Sequence, residues 1–125
     1  MQNAHDMTPQ QISDQLLTAL QQMQAEGKDL SNDWDVSTIS LPQIKGGSYH
    51  HGYSHGGPET FFNTAMRMSK SGESADHLSA LKKIVEGIEQ TLVRPEVVQD
   101  PSLHVCKKYF QRELRFLRWK LDGQY

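Results

Sequence analysis

Apolar and polar positions alternate along most of this chain at helical rather than strand spacing. Between Pro9 and Glu26, Ile12, Leu16, Ala19, Leu20 and Met23 recur three and four residues apart, while Gln10, Gln15, Gln21, Gln22 and Gln24 supply much of the other face. That period predicts an amphipathic helix. Its ends are also marked: Thr8, Pro9 and Gln11 fit an N-cap, a first helical position that lacks an N–H, and a capping box. Gly27 suits the left-handed position just past the end.

A second stripe, Leu78, Leu81, Val85, Ile88 and Leu92, predicts a helix from Ala75 to about Val93 with Ser74 as its cap. A seam of this kind serves either the core of one chain or a homo-oligomer contact with a second copy. After "RPEVVQDP" breaks the chain, Asp100 and Pro101 repeat the cap-then-proline device and launch a last helix to about Leu121, with Gly123 just beyond. At about 100° per residue, Leu103, Cys106, Phe110, Leu114, Leu117 and Leu121 gather on its inner side. A further helix is expected from Pro58, with Phe61, Phe62, Ala65, Met66 and Met68 as its apolar face and "SKSG" as its stop. The short loop after it makes it an antiparallel neighbour of the next helix.

Residues 28–57 break the helical pattern. "SNDWDVSTISLPQI" carries β-branched residues and a weak alternation of Ile39 and Leu41, which Pro42 limits to an edge or a short piece of strand. Trp34 and Ile44 are expected to pin this long connection to the core. The expected architecture is mainly α: a compact bundle of about four helices with a long Gly/His-rich connection after the first. The 125 residues form a single helical domain, with residues 1–7 as a flexible N-terminus.

Composition narrows the classes. Apolar residues make up 36% and charged residues 22%, enough for a core, and no apolar run is long enough to cross a bilayer. The start, "MQNAHDM", lacks a basic segment and an apolar stretch, and a lone cysteine, Cys106, excludes an internal disulfide framework. A cytoplasmic protein with no membrane partner is the expectation. The net charge of −2 conceals a basic end, where Lys107, Lys108, Arg112, Arg115, Arg118 and Lys120 face only Glu113 before Asp122.

Candidate chemistry is sparse. "GGSYHHGYSHGG", residues 46–57, offers His50, His51 and His55 as metal candidates, and His51 and His55 have the spacing of a helical ligand pair. The surrounding glycines disfavour that helix, and no second ligand pair of similar spacing occurs, so a solvated connector is the simpler reading. His5, His77, His104 and Asp35 are the remote ligands that would have to complete a shell. Cys106 falls on the apolar stripe and reads as a small core residue rather than a nucleophile. Ser74, Asp76 and His77 lack the strained elbow and oxyanion donors of acyl transfer, and no phosphate-cradling glycine motif follows a strand. Asp33 and Asp35 read as solvated loop charges. No enzyme and no cofactor is expected.

The last helix is the informative element. Opposite its leucines lie Lys108, Arg112, Arg115 and Trp119, with Arg118 nearby and Tyr109 and Phe116 on a flank. A tryptophan amid charges loses apolar hydration unless something covers it, and Arg and Trp are frequent interface anchors. The bland alternative is a solvated face with Trp119 packed on its own chain. The functional expectation is a small non-catalytic interaction protein, an adaptor or regulator, that presents this basic, Trp-bearing helix to a protein partner. The alternative is a nucleic-acid-binding accessory factor using the same basic face. An acidic N-terminal half and the lack of any nucleic-acid-binding motif count against it. A metal-binding sensor or enzyme built on the His-rich loop comes third.

Overall fold

The computed structural model describes residues 4–39 and 75–122; at 5, 75–77, 116 and 120 it describes the backbone alone. Among these residues the chain is mainly α and contains no strand. A 3₁₀ turn, Ala4–Asp6, leads into α1 (Pro9–Ala25), followed by the short α2 (Asp33–Val36), then α3 (Ala75–Leu92). The short α4 (Pro95–Val98) and α5 (Pro101–His104) connect to α6 (Lys107–Leu121). The helix expected from Pro58, the Ser74 cap, Ile44 and the His-rich loop lie outside the described residues.

α1 begins and ends where its sequence signals place it. The Thr8 side chain accepts from the Gln11 amide at 3.1 Å, and the Thr8 amide donates to the Gln11 side chain at 2.9 Å, completing the capping box. At the other end Gly27 adopts φ 77°. The Gly27 amide donates to the Gln24 carbonyl at 3.1 Å and the Lys28 amide to the Met23 carbonyl at 3.0 Å. This pair of bonds is a Schellman motif, which satisfies carbonyls that the helix end would otherwise orphan.

α1 packs along α3, and α3 in turn packs on α6. The crossing of α1 and α3 is close because Gly87 has no side chain. A Cβ there would lie 2.6 Å from Ile12 Cγ2 and 2.7 Å from Ile12 Cβ. Ile12, Leu16 and Leu20 from α1 meet Leu81, Ile84 and Ile88 from α3, and Phe110 and Leu117 from α6 complete the core. The stripe Leu81, Val85, Ile88 and Leu92 is buried inside the chain and Leu78 is half-buried. Of the two uses that its spacing allows, the stripe serves the core of its own chain.

A polar seam fixes the register of α1 on α3. The Thr91 hydroxyl lies 2.9 Å from Ser13 Oγ and 2.8 Å from the Gly87 carbonyl, with both side chains buried. Arg94 extends this seam to the surface, donating to Ser13 Oγ at 3.3 Å and to Asp14 at 2.6 Å, and it also pairs with Glu96. At the far end of α1, the Gln24 amide donates to one oxygen of Asp100 at 2.9 Å, while the other oxygen caps α5 through the Ser102 amide.

Three local expectations are corrected. The first part of the stretch that hinted at a strand forms α2, because Asn32 caps its start by accepting from the Trp34 and Asp35 amides, while Leu41 and Pro42 lie outside the described residues. At its end the Ser37 and Thr38 hydroxyls donate back to the Trp34 and Asp35 carbonyls at 2.7 Å. Trp34 is not a buried anchor of this segment. It is 58% exposed, and Leu30, Val36 and Ile39 are the buried anchors. The single helix expected from Pro101 to Leu121 is two, interrupted at Val105 and Cys106, where the Cys106 amide bonds the Leu103 carbonyl in a tighter turn at 3.3 Å. Leu103 and Cys106 both stay buried, so the apolar stripe continues across the break.

Candidate functional site

α6 has two opposed faces. Inward, Cys106, Tyr109, Phe110, Leu114 and Leu117 are buried, and Leu121 packs against them from the edge. Outward, Lys108, Arg112, Arg115 and Trp119 are exposed and follow one another at spacings of four, three and four, along one line of the helix. Trp119 is 42% exposed. Val105, just before the helix, extends this line by one turn and is also exposed.

The flank of that line is built from core. Tyr109 is buried and meets Phe110 edge-on at 5.2 Å between ring centroids, so it completes the core rather than bordering a groove. Burial pushes the Tyr109 phenol well above its ordinary value, and the neighbouring Glu113 carboxylate acts in the same direction. Glu113 is itself buried. It sits one turn after Tyr109 on the inner flank, a position that the apolar stripe alone did not single out. The Arg112 guanidinium lies 5.9 Å from the Tyr109 ring centre, at the limit of a cation–π contact.

Two of the basic side chains already hold carboxylates of the same chain. Arg112 pairs with Asp33 of α2, and Arg118 pairs with Glu89 of α3. Arg118 therefore ties α6 to α3, while Lys108 and Arg115 project with Trp119 from the outer line. Among the described residues no carboxylate comes within salt-bridge distance of Lys108 or Arg115. Neither long-range pair has a signature in the sequence, since the partners lie 79 and 29 residues away.

The other candidates sort by location. Cys106 is fully buried, and burial pushes its thiol up to about 11, which leaves it protonated at neutral pH. Asp33 and Asp35 are half-buried on α2 rather than solvated in a loop, with Asp33 on Arg112. His104 is half-buried on α5. His50, His51 and His55 lie outside the described residues, as do the side chains of His5 and His77. Among the described residues no three His, Cys, Asp or Glu side chains cluster to hold a metal ion, and no helix is long and apolar enough to cross a membrane. Compared with known proteins, the chain matches no family model, no curated protein and no solved structure at a significant level.

Proposed function

We propose that this protein is a small non-catalytic interaction protein of the cytoplasm, an adaptor or regulator that presents the outer face of α6 to an acidic protein partner. The observation that carries the reading is the 42% exposure of Trp119 on the same line as Lys108 and Arg115, directly opposite the buried face. An indole at the water surface gains most when a partner covers it, and cations on the same line as such an anchor give orientation and a faster encounter.

The same geometry supports a protein rather than a nucleic acid. A phosphate backbone is a continuous row of charge and favours an uninterrupted row of cations. Here Asp33 and Glu89 stand beside the row and neutralise Arg112 and Arg118. A protein partner can place its carboxylates only where they are wanted.

Lys108→Ala combined with Arg115→Ala tests the reading, because neither side chain holds an ion pair among the described residues. The double variant is expected to keep its helical circular dichroism and melting temperature and to lose proteins that the native chain captures from a lysate. Capture should survive nuclease treatment. Identical capture by the native and double-variant chains would overturn the proposal, and capture abolished by nuclease would transfer it to a nucleic acid.

A further inference from the structure

The chemistry of the partner can be taken one step further, resting on the reading of α6 as a docking face. Lys108 and Arg115 are seven residues apart, which at about 1.5 Å per residue places them about 10 Å apart along the helix axis. Trp119 follows Arg115 by one more turn. Between the two cations stands Arg112, already occupied by the Asp33 carboxylate.

A β-strand matches this spacing poorly. At about 3.3 Å per residue, about 10 Å corresponds to three residues, and residues three apart point to opposite faces of a strand. Steps of two or four residues fall about 3 Å short or long. An α-helix with the same rise matches it directly: side chains seven apart share a face, and one four further along stays on that face.

We propose that α6 docks an acidic helix of a partner protein, with two carboxylates seven residues apart meeting Lys108 and Arg115 and an apolar residue one turn beyond covering Trp119. Asp33 sets the specificity of this face by excluding a third carboxylate opposite Arg112. A partner acid there would meet a guanidinium already neutralised and the Asp33 charge beside it, so a segment acidic at every turn gains nothing from its middle residue.

Stapled helical peptides provide the test. One carries Glu at two positions seven apart and Leu four residues beyond; a second adds a Glu between them; each is made in both chain directions. Titration by fluorescence of Trp119, in a Trp34→Phe background, reads the affinity. The two-acid peptide in one direction is expected to bind the native face, and to bind Lys108→Ala/Arg115→Ala at least about fivefold more weakly. The three-acid peptide should bind the native face no better than the two-acid one, but should gain about three- to tenfold on Asp33→Asn. Arg112→Gln supplies a second variant, in which the three-acid peptide should fall below the two-acid one because Asp33 is left unpaired.

An equal gain from the third acid on the native face and on Asp33→Asn overturns the role of Asp33. Failure of both peptides in both directions overturns the acidic-helix partner. If they fail while the double variant still loses captured protein, the docking face stands and only its partner chemistry falls; if capture is also unchanged, both fall.

Discussion

Substituting one hydrogen of Gly87 by a methyl group tests the helix crossing on which the fold is built. Two effects oppose each other. In a helix interior, alanine is favoured over glycine by about 1 kcal/mol, so an exposed glycine in α3 would be stabilised by the change. At Gly87 the new Cβ meets Ile12 Cγ2 at 2.6 Å and Ile12 Cβ at 2.7 Å, with the Pro9 carbonyl oxygen at 3.2 Å. Carbon atoms in contact normally stand about 3.5–4.0 Å apart, so the crossing has to open by about 1 Å. Rotating the Ile12 side chain removes only the first overlap, because its Cβ is fixed to the backbone. Overpacking of this kind costs about 1–3 kcal/mol, and a clash with a fully buried partner belongs in the upper half of that range.

The net expectation for Gly87→Ala is a loss of about 1–2 kcal/mol, or roughly 5–10 °C in melting temperature for a domain of this size. Urea unfolding followed by circular dichroism measures it, with Lys82→Ala on the exposed face of α3 as a control within about 0.5 kcal/mol of the native chain. Adding Ile12→Ala should not rescue the variant, since the alanine retains the offending Cβ and leaves a cavity costing about 2 kcal/mol or more. A higher melting temperature for Gly87→Ala would refute the close approach of α1 and α3.

Other outcomes follow from the same packing. Thr91→Val keeps the volume but leaves Ser13 Oγ without its 2.9 Å partner, and should cost about 1–2 kcal/mol in urea unfolding; no change would mean that the seam contributes nothing. The thiol of Cys106 ionises near 9.0 when unfolded and near 11 when folded, so the unfolded chain loses its proton first as pH rises. Its contribution is intact below pH 9 and falls above it, by about 1 kcal/mol at pH 10. Cys106→Ala should flatten that part of the stability profile, whatever its offset at neutral pH. For the exposed Arg118 and Glu89 pair, a double-mutant cycle should give a coupling of less than about 1 kcal/mol that shrinks with added salt.

How far the sequence reveals this fold depends on how local each signal is. The capping box at Thr8, the turn at Gly27 and the stripe of α3 are each set by neighbours within about two turns, and each stands in the structure where the pattern puts it. α2 escaped notice because Val36, Thr38 and Ile39 have strand-forming side chains, while what decides the matter is hydrogen bonding by Asn32, Ser37 and Thr38. The break at Val105 and Cys106 carries neither proline nor glycine, and the apolar phase runs across it unchanged. Gly87 did have a signal: a glycine inside a strongly helical pattern marks a close approach. At the candidate site, the line from Lys108 to Trp119 follows from helical periodicity alone. The carboxylates on Arg112 and Arg118 depend on tertiary contacts with α2 and α3, which periodicity does not encode.

Those two ion pairs flank the outer line of α6 but do not aim it. By about 100° per residue, Arg112 stands at one edge of the line through Lys108, Arg115 and Trp119, and Arg118 lies about 120° from it around α6, beyond the other edge. Asp33 holds one side from α2 and Glu89 the other from α3, so rolling α6 in either direction would separate one pair from its carboxylate. Each exposed pair is worth less than about 1 kcal/mol, too little to hold the helix against the core. The inner face already does that: Phe110 and Leu117 are fully buried, and a roll of even 40° would carry one of them toward water at a cost of about 2 kcal/mol. The core therefore sets the orientation of α6, and Asp33 and Glu89 decide which of its cations remain available on the line that carries Trp119.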